Sequence, residues 1–87
     1  DDVGSWLAVG RIKKNDDNSN VINGNVVAVN TRGCVIEGGE KLIATVGLRD
    51  IVVVDTKDAT LITTKENAGE IKQVLAKLRE EGKNEYL

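Results

Sequence analysis

Four aliphatic residues in succession, Ile51 to Val54, stand between Asp50 and Asp55, and no other stretch constrains the fold more tightly. A strand with one solvated face alternates apolar and polar side chains, so an unbroken run requires burial on both faces. Such a strand needs a layer on either side. The chain has only Trp6 and Tyr86 as aromatic residues and no Phe, Met or Pro, so Val, Ile, Leu and Ala must build those layers. Its 87 residues allow one small domain, and a domain of this size buries only about 60% of the surface that its unfolded chain exposes.

The segments around this strand differ in pattern. Residues 1–14 carry Trp6, Leu7, Val9 and Ile12, which predict a short helix with Ser5 as its N-cap. Residues 15–20, Asn-Asp-Asp-Asn-Ser-Asn, are turn formers that bond their own backbone, and they predict a linker loop where Asp16 and Asp17 offer at most weak cation contact. From residue 21 to residue 65 strand follows strand, interrupted by Asn-Gly, Arg-Gly, Gly-Gly and Thr-Lys-Asp. A hairpin would suit Asn23-Gly24. A second geometry accounts for more positions, because residues 18 apart match in character: Val26 with Ala44 and Ile62, Cys34 with Val52, Val35 with Val53, Ile36 with Val54, Ile43 with Leu61. Triangular coils of a parallel β-helix would stack such residues into one core.

Residues 66–87 predict an α-helix. Ile71, Val74, Leu75 and Leu78 form an i, i+3, i+4, i+7 stripe, with Asn67 as N-cap, Glu70 near the positive end of the dipole and Gly82 as the terminator. Lys72, Gln73, Lys77, Arg79 and Glu80 make a solvated opposite face. The apolar stripe must be covered, and the open end of the strand layer is the expected place, with the helix as a cap.

The chemistry is sparse. There is no His, a single Cys, no Gly-rich phosphate loop and no Ser with a plausible partner, so a complete enzyme is not expected. Cys34, beside Val35 and Ile36 and with only Arg32 as a nearby cation, reads as a small buried hydrophobe. Asp50, Asp55 and Asp58 fall at turns, where Asp bonds nearby backbone N–H groups. A net charge of -2 gives no sustained positive field for nucleic acid. No apolar run approaches the ~18 residues of a membrane span, which makes cytoplasmic residence the expectation.

Two motifs carry a family resemblance. Asp-Val-Gly-Ser-Trp at residues 2–6 and the stretch from Ala44 to Lys65, together with the helix after it, closely resemble the C-terminal part of bacterial mannose-1-phosphate guanylyltransferases. That family transfers GMP from GTP to α-D-mannose 1-phosphate, giving GDP-mannose and diphosphate. The resemblance implies a mainly β fold with flanking helices: a short left-handed parallel β-helix of hexapeptide-like coils, capped by the C-terminal helix. It assigns residues 1–14 to the end of the nucleotidyltransferase domain, 15–20 to a linker, 21–65 to the β-helix-like domain and 66–87 to the capping helix. The family's Gly-rich signature and its triphosphate-binding Arg and Lys would lie upstream.

By the same resemblance Asp2 matches a carboxylate that helps to bind Mg²⁺ in the full-length enzyme, a hard cation preferring oxygen ligands. No catalytic or cofactor-binding residue is expected within the fragment, and no cofactor bound to it alone. Trp6 would pack its helix on the upstream sheet, and exposure of Trp6, Leu7 and Val9 would favour a homo-oligomer. The expected partners are therefore the upstream catalytic domain and a second copy, with neither nucleic acid nor membrane. Gly38 and Gly39 depart from the polar turn usual in the family. Because the chain ends at Asn-Glu-Tyr-Leu, without a cupin-like extension, no isomerase activity is expected. The alternative reading is an autonomous β-helical module that binds a ligand or protein through its turn carboxylates.

Overall fold

A computed structural model describes residues 19–87; the expected helix in 1–14, with Asp2, Ser5 and Trp6, lies outside the described residues, as do Asp16 and Asp17. The strands are β1 (Val21–Asn23), β2 (Val26–Val29), β3 (Val35–Glu37), β4 (Ile43–Val46), β5 (Ile51–Asp55) and β6 (Thr60–Thr64), followed by α1 (Ile71–Glu80). β1, β3 and β5 pair in parallel, and so do β2 and β4. A parallel bridge between Arg32 and Arg49 joins the stretches that follow β2 and β4. Each turn of chain thus contributes to three stacked sides, which is a β-helix. The Asn23-Gly24 pair forms a corner between β1 and β2 and not a hairpin.

The stacking period differs from the expected 18. Val35 lies over Val52 and Val26 over Ile43, both 17 residues apart, whereas Val21 lies over Val35 at a distance of 14. The cause is one corner. Residues 24 and 25 suffice to join β1 to β2, but residues 38–42 join β3 to β4 and lengthen the second coil by three. A register error of one residue turns each side chain to the opposite face, so the proposed stacks, such as Cys34 over Val52, mix the two sides of the sheet. β6 departs further by returning antiparallel beside β5, with Val53 opposite Ile62 and Val54 opposite Leu61.

Both faces of β5 are covered, as its sequence requires. Inside the coil Val53 packs with Cys34 and Ile36, and Val26, Ile43, Leu48 and Ile51 surround them. On the outer face Val52 and Val54 join Val21, Val35 and Leu61 against Ile71 and Leu75 of α1, with Leu78, Tyr86 and Leu87 at the margin. The helix does cover the strand layer. The surface it covers is the outer side of the four-stranded sheet and not the open end of the coil, because Val21, Val35, Val52, Val54 and Leu61 present their side chains there.

The helix stripe is narrower than its sequence suggests, because Val74 remains 39% exposed. Asn67 makes no side-chain cap bond; it precedes a 3-10 turn at Ala68–Glu70 that leads into α1, and its own N–H donates to Thr64 Oγ1 at 3.1 Å. At the other end Gly82 adopts φ +73, Lys83 N–H donates to Leu78 O and Gly82 N–H donates to Arg79 O. These two bonds are the Schellman closure that a glycine at this position permits.

Candidate functional site

The corners of the coil explain where most polar side chains are used. Ser19, Gly33 and Asp50 all have φ between +54 and +67 and occupy equivalent corners of successive coils. Asn30 at φ +50 and Gly47 at φ +71 form a second such pair. Asn and Asp tolerate the left-handed region because their short polar side chains bond locally. A methyl group on Gly33 would meet only the tip of the exposed Asp50 side chain, which can swing into solvent, so it is φ that favours glycine there.

Immediately after the first corner column stands a buried ladder. Asn20 is 1% exposed; its Oδ1 accepts Cys34 N–H and its Nδ2 donates to Thr31 O, each at 2.9 Å. One coil further, Cys34 Sγ accepts Ile51 N–H at 3.4 Å, while its S–H donates to Arg32 O at 3.5 Å. Cys34 is buried as expected, and it also serves as a hydrogen-bonding rung. Thr31 donates to Val29 O at 3.0 Å, which leaves Thr45 to donate to the Thr31 hydroxyl at 2.9 Å. Sequence reading placed Asn20 in a loop and gave Thr31 and Thr45 no role. The signal that would have found Asn20 is its position 14 residues before Cys34, at the equivalent corner.

The three turn carboxylates remain separate. Asp50 holds a corner, its N–H donating to Arg32 O and its carbonyl accepting Lys65 N–H. Asp58 is exposed in the β5–β6 turn, which Thr56 closes: its hydroxyl donates to Ala59 O at 2.9 Å and its oxygen accepts Ala59 N–H. Asp55 is the most engaged. Its side chain is 7% exposed, Thr60 Oγ1 donates to Oδ1, and Lys41 Nζ lies 3.2 Å from Oδ2. The Thr60 hydrogen bond, with Lys41 adding to it against the cost of burial, holds the Asp55 carboxyl below its ordinary value. An anion so held accepts hydrogen bonds and ties the 38–42 corner to β5; it is poorly suited to deliver a proton.

Asp55 and Lys41 also line an open cleft of about 430 Å³ with Gly39, Glu40, Thr56 and Lys57. Its charges are already paired or solvated. Among the described residues, no cluster of three or more His, Cys, Asp or Glu side chains could hold a metal ion. Asp2, the residue implied for a Mg²⁺ site, lies outside them. No helix among the described residues is long and apolar enough to cross a membrane.

Comparison with known proteins agrees with this geometry. Residues 24–78 match the MannoseP isomerase/GMP-like beta-helix domain. The alginate biosynthesis protein AlgA of Pseudomonas putida is 43% identical over 84 residues, covering 97% of this chain and 17% of the relative. The mannose-1-phosphate guanylyltransferase of Klebsiella pneumoniae is 35% identical over 85 residues, covering 98% of this chain and 18% of its own length. A crystal structure from Thermus thermophilus, described as a mannose-1-phosphate geranyltransferase, superposes with a TM-score of 0.68 at 35% identity, over 91% of this chain and 24% of that one. The chain thus spans about a sixth of the length of the curated relatives it matches. A coil of stacked parallel strands, joined to the C-terminal portion of guanylyltransferases by sequence over nearly its whole length, makes this chain a member of the MannoseP isomerase/GMP-like β-helix domain family.

Proposed function

We propose that this chain is the C-terminal scaffold and oligomerisation domain of a mannose-1-phosphate guanylyltransferase, and that it has no transferase activity by itself. The full-length protein would transfer GMP from GTP to α-D-mannose 1-phosphate, releasing diphosphate and forming GDP-mannose in the cytoplasm. The observation that carries this reading is coverage: relatives of that activity match 98% of this chain with only 18% of their own length. The larger remainder is where the nucleotide site would lie. Asp2 would join a Mg²⁺ site only together with upstream groups, the ion there offsetting phosphate charge.

The polar chemistry of the described residues is consistent with a structural role, since Asn20, Thr31, Cys34, Thr45 and Asp55 bond within the coil. Calorimetric titration of the 87-residue chain with GTP and with GDP-mannose, each with Mg²⁺, should give no saturable heat. Saturable micromolar binding of either would overturn the scaffold reading in favour of an autonomous binding module.

A further inference from the structure

The sheet that α1 covers ends in an open strand. β6 is last in the order β1-β3-β5-β6, so one of its edges meets β5 and the other meets no strand among the described residues. Register fixes which backbone groups point outward. Thr56 N–H donates to Ala59 O and Lys65 N–H to Asp50 O, and directly opposed antiparallel pairs alternate between bonded and non-bonded. The bonded pairs are thus Val52 with Thr63 and Val54 with Leu61, which turns the N–H and C=O of Thr60, Ile62 and Thr64 away from β5. Thr64 O accepts Asn67 N–H. Thr60 and Ile62 keep both outward groups without a backbone partner among the described residues. Monomeric proteins blunt such an edge with Lys, Pro or a bulge, whereas β6 is Thr-Leu-Ile-Thr-Thr and pairs with β5 residue for residue. Ile62, at its centre, is 69% exposed. Beside the strand a cleft of about 230 Å³ opens towards α1, lined by Leu61, Thr63, Ile71 and the exposed Val74.

We infer that β6 pairs antiparallel with β6 of a second copy about a two-fold axis through Ile62, an inference that rests on the reading of this chain as an oligomerisation domain and names its contact. Symmetry selects this occupant. A two-fold sets outward groups against outward groups, and the register centred on Ile62 uses the whole strand, with Thr60 opposite Thr64 of the second copy. The exposed Ile62 side chain then meets its own equivalent, flanked on the same face by Thr–Thr pairs, which are favourable neighbours across strands. No charged residue lies on β6, so the pairing opposes no like charges along the strand. The axis is perpendicular to the sheet, which keeps both α1 helices on one face and brings each Val74 and its cleft to the border with the other copy. Such a contact is about 17 Å long and falls below the ~800 Å² per partner of a standard interface. A concentration-dependent monomer–dimer equilibrium is expected.

Sedimentation equilibrium and site-directed cross-linking, on the full-length protein and on the 87-residue chain, test the pairing. Ile62→Lys changes an exposed side chain and sets two ammonium groups face to face on the axis. The dissociation constant should rise at least ten-fold while far-UV circular dichroism is unchanged. Ile62→Cys places two thiols on a bonded pair with Cα atoms about 5.5 Å apart, inside the span of about 4.4–6.8 Å that a disulfide bridges. Under copper–phenanthroline oxidation it should link two copies at least ten times faster than Asp58→Cys, at the exposed β5–β6 turn. Equal rates would overturn the inference. Cross-linking confined to the 87-residue chain would overturn it too, because another part of the full-length protein would then cover the edge. Association that Ile62→Lys leaves unchanged refutes the β6 pairing alone, whereas a full-length protein that stays monomeric at every concentration refutes the oligomerisation reading with it.

Discussion

Asn20→Ala is the substitution that most directly challenges the ladder at the coil corner. The wild-type amide side chain satisfies two backbone groups, Cys34 N–H and Thr31 O, both at 2.9 Å and from a position only 1% exposed. Each buried group left without a partner costs about 1–3 kcal/mol, so the loss is expected to be about 2–6 kcal/mol. Cys34→Ala removes only a weak sulfur acceptor, 3.4 Å from the N–H of half-buried Ile51. Its cost comes mostly from the lost sulfur volume, about 1 kcal/mol. Urea unfolding of the 87-residue chain, followed by far-UV circular dichroism, gives both numbers. Because total stability is only about 5–15 kcal/mol, the measurement is made with sucrose to preserve a folded baseline. The reasoning fails if Asn20→Ala costs no more than Cys34→Ala.

Gly24→Ala and Gly47→Ala separate close approach from backbone conformation. At Gly24, with φ +96, a Cβ would strike the Gly38 carbonyl group, so a loss of about 2–5 kcal/mol is expected, against about 1–2 at Gly47, where φ is +71 and space is open; chemical denaturation of the two variants decides the order. Leu75→Ala should cost about 2–4 kcal/mol and Val74→Ala under about 1, since Leu75 lies in the core against the sheet and Val74 is 39% exposed; equal losses would contradict the packing of α1. Acid titration tests Asp55. Its folded pKa lies below its ordinary 3.8, so its contribution is present above about pH 4 and is lost as pH falls through the lower folded value. Thr60→Val removes the largest cause of that shift and should flatten the dependence of thermal midpoint on pH below about 4.

The run Ile51–Val54 revealed the architecture because its meaning does not depend on register: four aliphatic residues in a strand need two covered faces wherever the neighbours fall. Period is another matter. Val, Ile and Ala recur so often between residues 21 and 65 that a comparison by side-chain character cannot distinguish 17 from 18, and the corner at 38–42 makes successive coils unequal. The corner residues carried the sharper signal, since Asn30 with Gly47, and Gly33 with Asp50, are pairs suited to positive φ and each is 17 residues apart. The capping role expected for Asn67 failed because a 3-10 turn intervenes before α1, which puts Glu70 and not Asn67 at the N-cap position of that helix. Of the candidate sites, Asp2 could be named only through resemblance, while the ladder of Asn20 and Cys34 needed three-dimensional register to be seen at all.

The distribution of polar groups bears on what such a coil can do. A catalytic acid or base must present a group whose hydrogen-bonding capacity is free to change during reaction. In the interior of this coil the buried side chains Asn20, Thr31, Cys34 and Thr45 are joined to neighbouring coils or to their own corners, and each bond resists the change of protonation or position that catalysis would need. Asp55 is held as an anion by Thr60 and Lys41. The largest exposed valine surface, in contrast, lies on the flat face of β2 and β4, where Val46 alone is 73% exposed. The scaffold role proposed above draws on both features, polar groups fixed within the coil and an uncharged aliphatic face turned outward.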